Sequence, residues 1–198
     1  MLLKTTLRKK ILLTAMALTA VVPSVAKALL LSAAPTAEGE NQQVKTGVYY
    51  IVNDKRQSGT DLCVYADTDG SLRGTMSPAP YSDLFILHSK GGEYYTIQSL
   101  KDGKYIQNVS GNYQAYKAGN GAHKFQIVYQ TKSAGTGKSY FNIYNNRSDG
   151  DWCWHLDGQK NVVRWYPLSN NGISALGPSE FRLDPVTSLT QEQVLERL

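Results

Sequence analysis

The sequence is poor in the residues from which reactive centres are usually built. Of its 198 residues only 2 are cysteine, 3 histidine and 3 methionine. Two cysteines, Cys63 and Cys153, exclude a disulfide scaffold. There is no metal-spaced His/Cys cluster and no paired carboxylate, so metal, cofactor and acid–base chemistry are not expected. Cys153 and His155 fall on one face of a predicted strand. That adjacency does not supply the separate base and orienting group that a nucleophile needs, and an enzyme is not expected. Long apolar runs are also missing. The longest, Ile11 to Val22, is 12 residues, short of the roughly 20 that a membrane helix requires.

An excess of one charge is lacking as well, once the N-terminus is set apart. Lys4, Arg8, Lys9 and Lys10 form a positive start before the apolar run, and Ala26-Lys27-Ala28 supplies a small-x-small cleavage signal. Residues 1–28 therefore read as a secretory signal peptide, with no stable membrane span after its removal and a secreted, extracytoplasmic destination. Five of the 21 basic residues lie in this segment and none of the 16 acidic ones does, which leaves 16 of each. A balanced chain without a basic stripe has no means of neutralising a phosphate backbone, so nucleic acid is not an expected partner.

Residues 29–45 are mostly small and polar without periodicity and read as a flexible lead-in. From Thr46 the texture is all β, with tyrosines and β-branched residues in runs of four to six broken by Gly, Asn, Asp and Ser. Asp67-Thr68-Asp69-Gly70 is too short for a calcium loop and reads as a turn. Residues 187–198 read as a short C-terminal helical tail or linker. There Thr190 and Gln193 make a capping box, Leu189 and Val194 a hydrophobic staple, and Val194, Leu195 and Leu198 an apolar stripe.

Between these ends the sequence repeats itself. The first copy runs YYIV (from Tyr49), LCVYAD (from Leu62), SLRGT (from Ser71) and LFIL (from Leu84). The second runs YYTI (from Tyr94), KYIQNV (from Lys104), YQAYK (from Tyr113) and KFQIV (from Lys124). The third runs YFNIY (from Tyr140), WCWHLD (from Trp152), VVRWY (from Val162) and EFRL (from Glu180). Opening aromatics at 49, 94 and 140 give periods of 45 and 46, and closing phenylalanines fall at 85, 125 and 181. The third copy is lengthened between Ser169 and Ser179. Tyr49, Tyr94, Tyr140 and the three phenylalanines are expected to fill the core.

Four short strands in each of three copies resemble the β-trefoil, and more narrowly the ricin-type lectin domain, over residues 46–186. The resemblance implies an all-β fold with three four-stranded repeats and pseudo-threefold symmetry, followed by the short C-terminal helix. It also implies a glycan-binding function in which a polar side chain holds sugar hydroxyls and an aromatic ring stacks on the sugar's C–H face. In the third copy, Asn161 to Pro167 is similar to the family's third-strand run and puts Tyr166 at the aromatic-platform position. His155 stands where the ligand-holding Asp is usual and Ser179 where the closing Gln is usual. Asp157 and Trp165 lie beside them as further candidate contacts. In the second copy Gln107 and Tyr116 form a lesser acceptor-plus-platform pair. Trp152 and Trp154 are expected to be partly exposed, and Cys63 and Cys153 to be two buried free thiols. Two of the three sugar-contacting identities differ from the family pattern, so a galactose preference does not follow. The long third-copy insertion keeps open a protein-binding trefoil, such as a protease inhibitor or interaction module.

Overall fold

In the computed structural model the described residues are 43–53, 61–76, 83–109, 114–131, 139–145, 152–158, 162–168 and 177–196. The signal peptide, most of the lead-in, Asn161, most of the third-copy insertion and Leu198 lie outside them. The described chain is all β apart from one 3-10 turn, Gly177–Ser179, and one short helix.

Twelve strands form a single hydrogen-bonded system. Six of them close a ring: β1 (Gly47–Asn53), β4 (Leu84–Ser89), β5 (Tyr94–Ser99), β8 (Phe125–Gln130), β9 (Tyr140–Tyr144) and β12 (Phe181–Pro185). Each pairs antiparallel with the next, and β12 pairs back to β1 from Tyr49↔Pro185 to Asn53↔Phe181. Closure leaves this ring no free edge to recruit another chain. The other six strands extend from the ring in pairs. They are β2 (Leu62–Ala66) with β3 (Leu72–Thr75), β6 (Tyr105–Ile106) with β7 (Ala118–Gly119), and β10 (Trp152–Leu156) with β11 (Val163–Pro167). Bridges Ser71↔Lys117, Arg73↔Val162 and Ala115↔Arg164 tie these pairs to one another across one end of the ring. The turn into β3 is the expected one: Asp67 and Asp69 carboxylates accept from the amides of Thr68 and Ser71, and Gly70 takes φ +79°, where a Cβ is disfavoured.

Inside the ring, aromatics pair across adjacent strands: Tyr49 with Phe85, Tyr95 with Phe125 and Phe141 with Phe181. The closing phenylalanines are buried as expected. Of the opening aromatics Tyr49 is buried as expected, and the other two correct the sequence reading. Tyr94 is 40% exposed and Tyr140 half-buried, whereas their neighbours Tyr95 and Phe141 turn inward. Strand side chains alternate between faces, so aligning the copies one residue early exchanges inside for outside. Val44 also belongs to the core, and its carbonyl accepts the Tyr95 hydroxyl at 2.8 Å. Packing therefore begins before the Thr46 boundary expected from composition.

The tryptophans supply a second correction. Trp154 is 0% exposed. Its ring meets Tyr116 at 5.2 Å, Phe125 at 5.5 Å and Phe181 at 6.2 Å, forming an aromatic plug under the hairpins. Cys153, on the opposite face of β10, is buried too, in a small cluster with Val128 and Tyr144. Both faces of the strand are covered at this point, so a buried cysteine does not imply an exposed tryptophan. Cys153 and Cys63 are free thiols, but Cys63 is only half-buried.

The tail forms the helix α1 (Gln191–Leu195) with both arms of its capping box: Thr190 N donates to Gln193 Oε1 at 2.8 Å, and Gln193 N donates to Thr190 Oγ1 at 3.2 Å. Val194 is buried against Val48, Leu84, Ile86 and Leu100, with Leu189 alongside, which covers the outer face of β1 and β4. Leu195 points away at 44% exposure, so of the described part of the expected stripe Val194 alone is buried. Among the described residues no helix is long and apolar enough to cross a membrane.

Removing the plug should cost far more than removing its half-buried neighbour. Trp154→Ala is expected to destabilise the fold by about 3–5 kcal/mol in urea denaturation, as for large-to-small changes at fully buried aromatic positions. Trp152→Ala is expected to cost clearly less. Equal costs would contradict the placement of the two rings.

Candidate functional site

The candidate site lies on the β10–β11 hairpin. Antiparallel pairing sets Cys153 opposite Tyr166, Trp154 opposite Trp165 and His155 opposite Arg164. Alternation then divides the hairpin into two faces. One carries His155, Arg164 and Tyr166; the other carries Trp152, Trp154 and Trp165.

On the first face the imidazole of His155 stacks on the phenol ring of Tyr166, with centroids 4.2 Å apart and planes 19° from parallel. His155 Nδ1 lies 2.9 Å from Ser179 Oγ. Three residues that the sequence places 24 positions apart at the extremes thus converge on one point. Ser179 ends the 3-10 turn and is fixed from both sides by ring strands. Its carbonyl accepts from Asn142 Nδ2 at 2.9 Å, and Asn53 Nδ2 donates to the carbonyls of Gly177 and Glu180. Ser179 is 0% exposed. The closing polar residue was expected to touch ligand, but it is buried, and its hydroxyl meets His155 because the turn is tucked under the hairpin.

Charge beside the pair is balanced. Asp157 Oδ2 lies 3.2 Å from Arg164 Nε. Arg164 is the site residue that sequence reasoning missed. The signal was available, since it sits two positions from Tyr166 on a strand. Burial pushes the His155 imidazole down to about 4, only partly opposed by the nearby Asp157 carboxylate. The ring is neutral at physiological pH.

The remaining candidates lie elsewhere. Trp165 is on the opposite face, packed against the core and stacked on Trp152 with centroids 4.2 Å apart, so it does not join Tyr166. Tyr116 is fully buried, donates its hydroxyl to Asn145 Oδ1 at 2.6 Å, and cannot serve as a platform. The reason is its place in the plug beneath the hairpins, where the period-matched aromatic is needed as core. Gln107 is half-buried with its amide against Gly119. A Cβ at Gly119 would come within 2.6 Å of that amide, so the side chain lies directly on the Gly119 backbone. Among the described residues no group of three or more His, Cys, Asp or Glu side chains could hold a metal.

A closed six-stranded ring bearing three hairpins has counterparts among solved structures. The Rhizoctonia solani agglutinin is 18% identical, with a TM-score of 0.54 over 74% of this chain and 100% of that one. The Macrolepiota procera ricin B-like lectin, solved in complex with lactose, is 17% identical, with a TM-score of 0.55 over 73% of this chain and 100% of that one. The BEL β-trefoil is 16% identical, with a TM-score of 0.52 over 74% and 97%. The chain has the β-trefoil fold. At these identities the likeness is one of fold alone. No protein-family model matches the sequence, and no curated protein does. In trefoil terms, the His155–Tyr166–Ser179 group sits where one hairpin meets the strand that closes the ring.

The depressed His155 pKa has a measurable consequence. Between about 6.5 and about 4 the unfolded chain binds a proton at this position that the folded chain does not, so stability falls as pH falls through that window. Comparing His155→Gln with wild type should isolate a contribution on the order of 2 kcal/mol across the window. The variant's loss of stability on acidification is expected to be smaller by that amount. Parallel pH–stability curves would show that His155 is not held neutral.

Proposed function

We propose that this trefoil is a carbohydrate-binding module, and that its site is the face of β10–β11 formed by His155 and Tyr166. The observation that carries the reading is the stacked His155–Tyr166 pair. Stacked face to face, the two half-buried rings offer apolar surface with an imidazole nitrogen at its edge, the combination of apolar surface and aimed polar group that binds sugars. The fold supports it in a weaker way: one neighbour of the same architecture is a ricin B-like lectin in complex with lactose.

Three finer points belong to the same proposal. The chain consists of three four-stranded repeats about a pseudo-threefold axis; the three hairpins and the inward pairs Tyr49–Phe85, Tyr95–Phe125 and Phe141–Phe181 support this. It acts without catalysis. The Ser179–His155 contact has the elements of a nucleophile and its base, but a serine with no exposed surface cannot meet a substrate. It is exported, on the strength of the positive, apolar and small-residue pattern of residues 1–28.

Binding to a glycan array, followed by calorimetric titration of the best glycan, tests the function. Tyr166→Ala is expected to weaken binding by tenfold or more, consistent with about 1–3 kcal/mol for a lost aromatic platform, while leaving the urea midpoint near wild type. A folded protein that binds no glycan would sink the proposal. Export is tested separately: N-terminal sequencing of protein recovered outside the producing cell should begin at Leu29.

A further inference from the structure

The polarity of the site follows from the hydrogen bond beneath it. Ser179 is wholly buried, and among the described residues its hydroxyl makes one side-chain hydrogen bond, to His155 Nδ1 at 2.9 Å. A hydroxyl carries one proton and can both donate and accept. Were Nδ1 the donor, the serine proton would be left in the interior without an acceptor among the described residues, at a cost of about 1–3 kcal/mol. The economical arrangement has Ser179 Oγ–H donating to Nδ1. A neutral imidazole that accepts at Nδ1 carries its proton on Nε2. Nε2 has no hydrogen-bond partner among the described residues and is not among the buried unpaired atoms, so it opens to solvent. The nearest carboxylate, that of Asp157, is engaged by Arg164.

We infer that His155 is held by Ser179 as the Nε2–H tautomer, so that the site presents a neutral donor and prefers glycans bearing an acceptor-only oxygen, a carbonyl or carboxylate, beside the ring that stacks. This rests on the carbohydrate reading above. A carboxylate at position 155 would take protons from two sugar hydroxyls. An N–H instead gives a proton, and a ligand oxygen with no proton of its own meets it best. Acetamido sugars and uronic acids both carry such an oxygen. Ser179 is a positioning residue: it touches no ligand and acts by choosing which nitrogen of His155 faces outward.

The tautomer can be read without any ligand. Long-range proton–nitrogen correlation spectra of histidine-labelled protein at pH 7, with His155 assigned by its loss in His155→Gln, should show an unprotonated Nδ1 and a protonated Nε2. A protonated Nδ1 overturns the inference. In folded Ser179→Ala the two tautomers are expected to mix; an unchanged spectrum overturns the role of the serine. Titrations then compare methyl glycosides in pairs, N-acetylgalactosamine against galactose and glucuronic acid against glucose. A preference of about three- to tenfold for the first member of either pair is expected, the worth of one improved hydrogen bond, and the pair that shows it tells whether the oxygen is carbonyl or carboxylate. Equal affinities in both pairs overturn the selection. Binding to none of the four overturns it together with the carbohydrate reading, while the spectrum still reports the tautomer. Should Ser179→Ala fail to fold, the wild-type spectrum and the paired titrations decide.

Discussion

The pairing of the first strand with the last is the constraint on which the rest of the structure depends. β1 and β12 run antiparallel over five consecutive residue pairs, from Tyr49↔Pro185 to Asn53↔Phe181. Without that ladder the remaining ring strands form an open sheet with two long unpaired edges. Residues brought together across nearly the whole described chain must meet before the ladder contributes, so loop-closure entropy is large and the contact is slow to form. Apolar layers on both sides of the seam offset this. Phe181 is buried inside against Phe141, while Val194 of the C-terminal helix seals Val48, Leu84 and Ile86 outside. A five-residue helix has little stability of its own. Its capping box satisfies its first amides and lets Val194 cover the outer face of β1, the strand that carries the seam, and of its other neighbour β4.

The candidate site is built from the same seam. Ser179 stands two residues before Phe181, and the turn that holds it is tied to β1 through Asn53 and to β9 through Asn142. The partner of His155 is thus delivered by ring closure, although His155 itself belongs to a hairpin. A side chain on a hairpin alone would have only its cross-strand neighbours to orient it. Here the imidazole is fixed on one face by Tyr166 and at one nitrogen by a group from the far end of the chain. Positioning of this kind, by a buried hydrogen bond behind the exposed group, reduces the conformational entropy lost when a ligand binds.

Much of the architecture was legible in the sequence because closed β structures repeat their core requirements. The closing phenylalanines 85, 125 and 181, the Asp67–Gly70 turn and the Thr190 capping box are local or periodic, and all three are found. What failed was face. Aromatic doublets such as Tyr94-Tyr95 and Tyr140-Phe141 fit the repeat equally well in two registers, and only tertiary packing chooses between them. Trp154 failed for a related reason: both faces of β10 are covered at that position, so a buried cysteine beside it carried no information. Of the site, Tyr166, His155 and Ser179 were readable as aligned positions. The burial of Ser179 was not, since it depends on amide contacts from two distant strands.

Histidine at position 155 fits its surroundings on energetic grounds. An ionised carboxylate there would stack on Tyr166 and lie against a buried hydroxyl, with little water to solvate it, and burial penalises the charged form strongly. Imidazole meets the same packing in its neutral form, and its lowered pKa of about 4 is the sign of that environment. One flat ring can then stack on Tyr166, accept the hydrogen bond of Ser179 on its inner edge and keep a polar atom on its outer edge. The Asp157–Arg164 pair beside it closes its own charge, so the face needs no counter-ion from a ligand. Histidine here therefore joins a stacking surface to a polar edge that can donate a hydrogen bond, where an ionised carboxylate could only accept one.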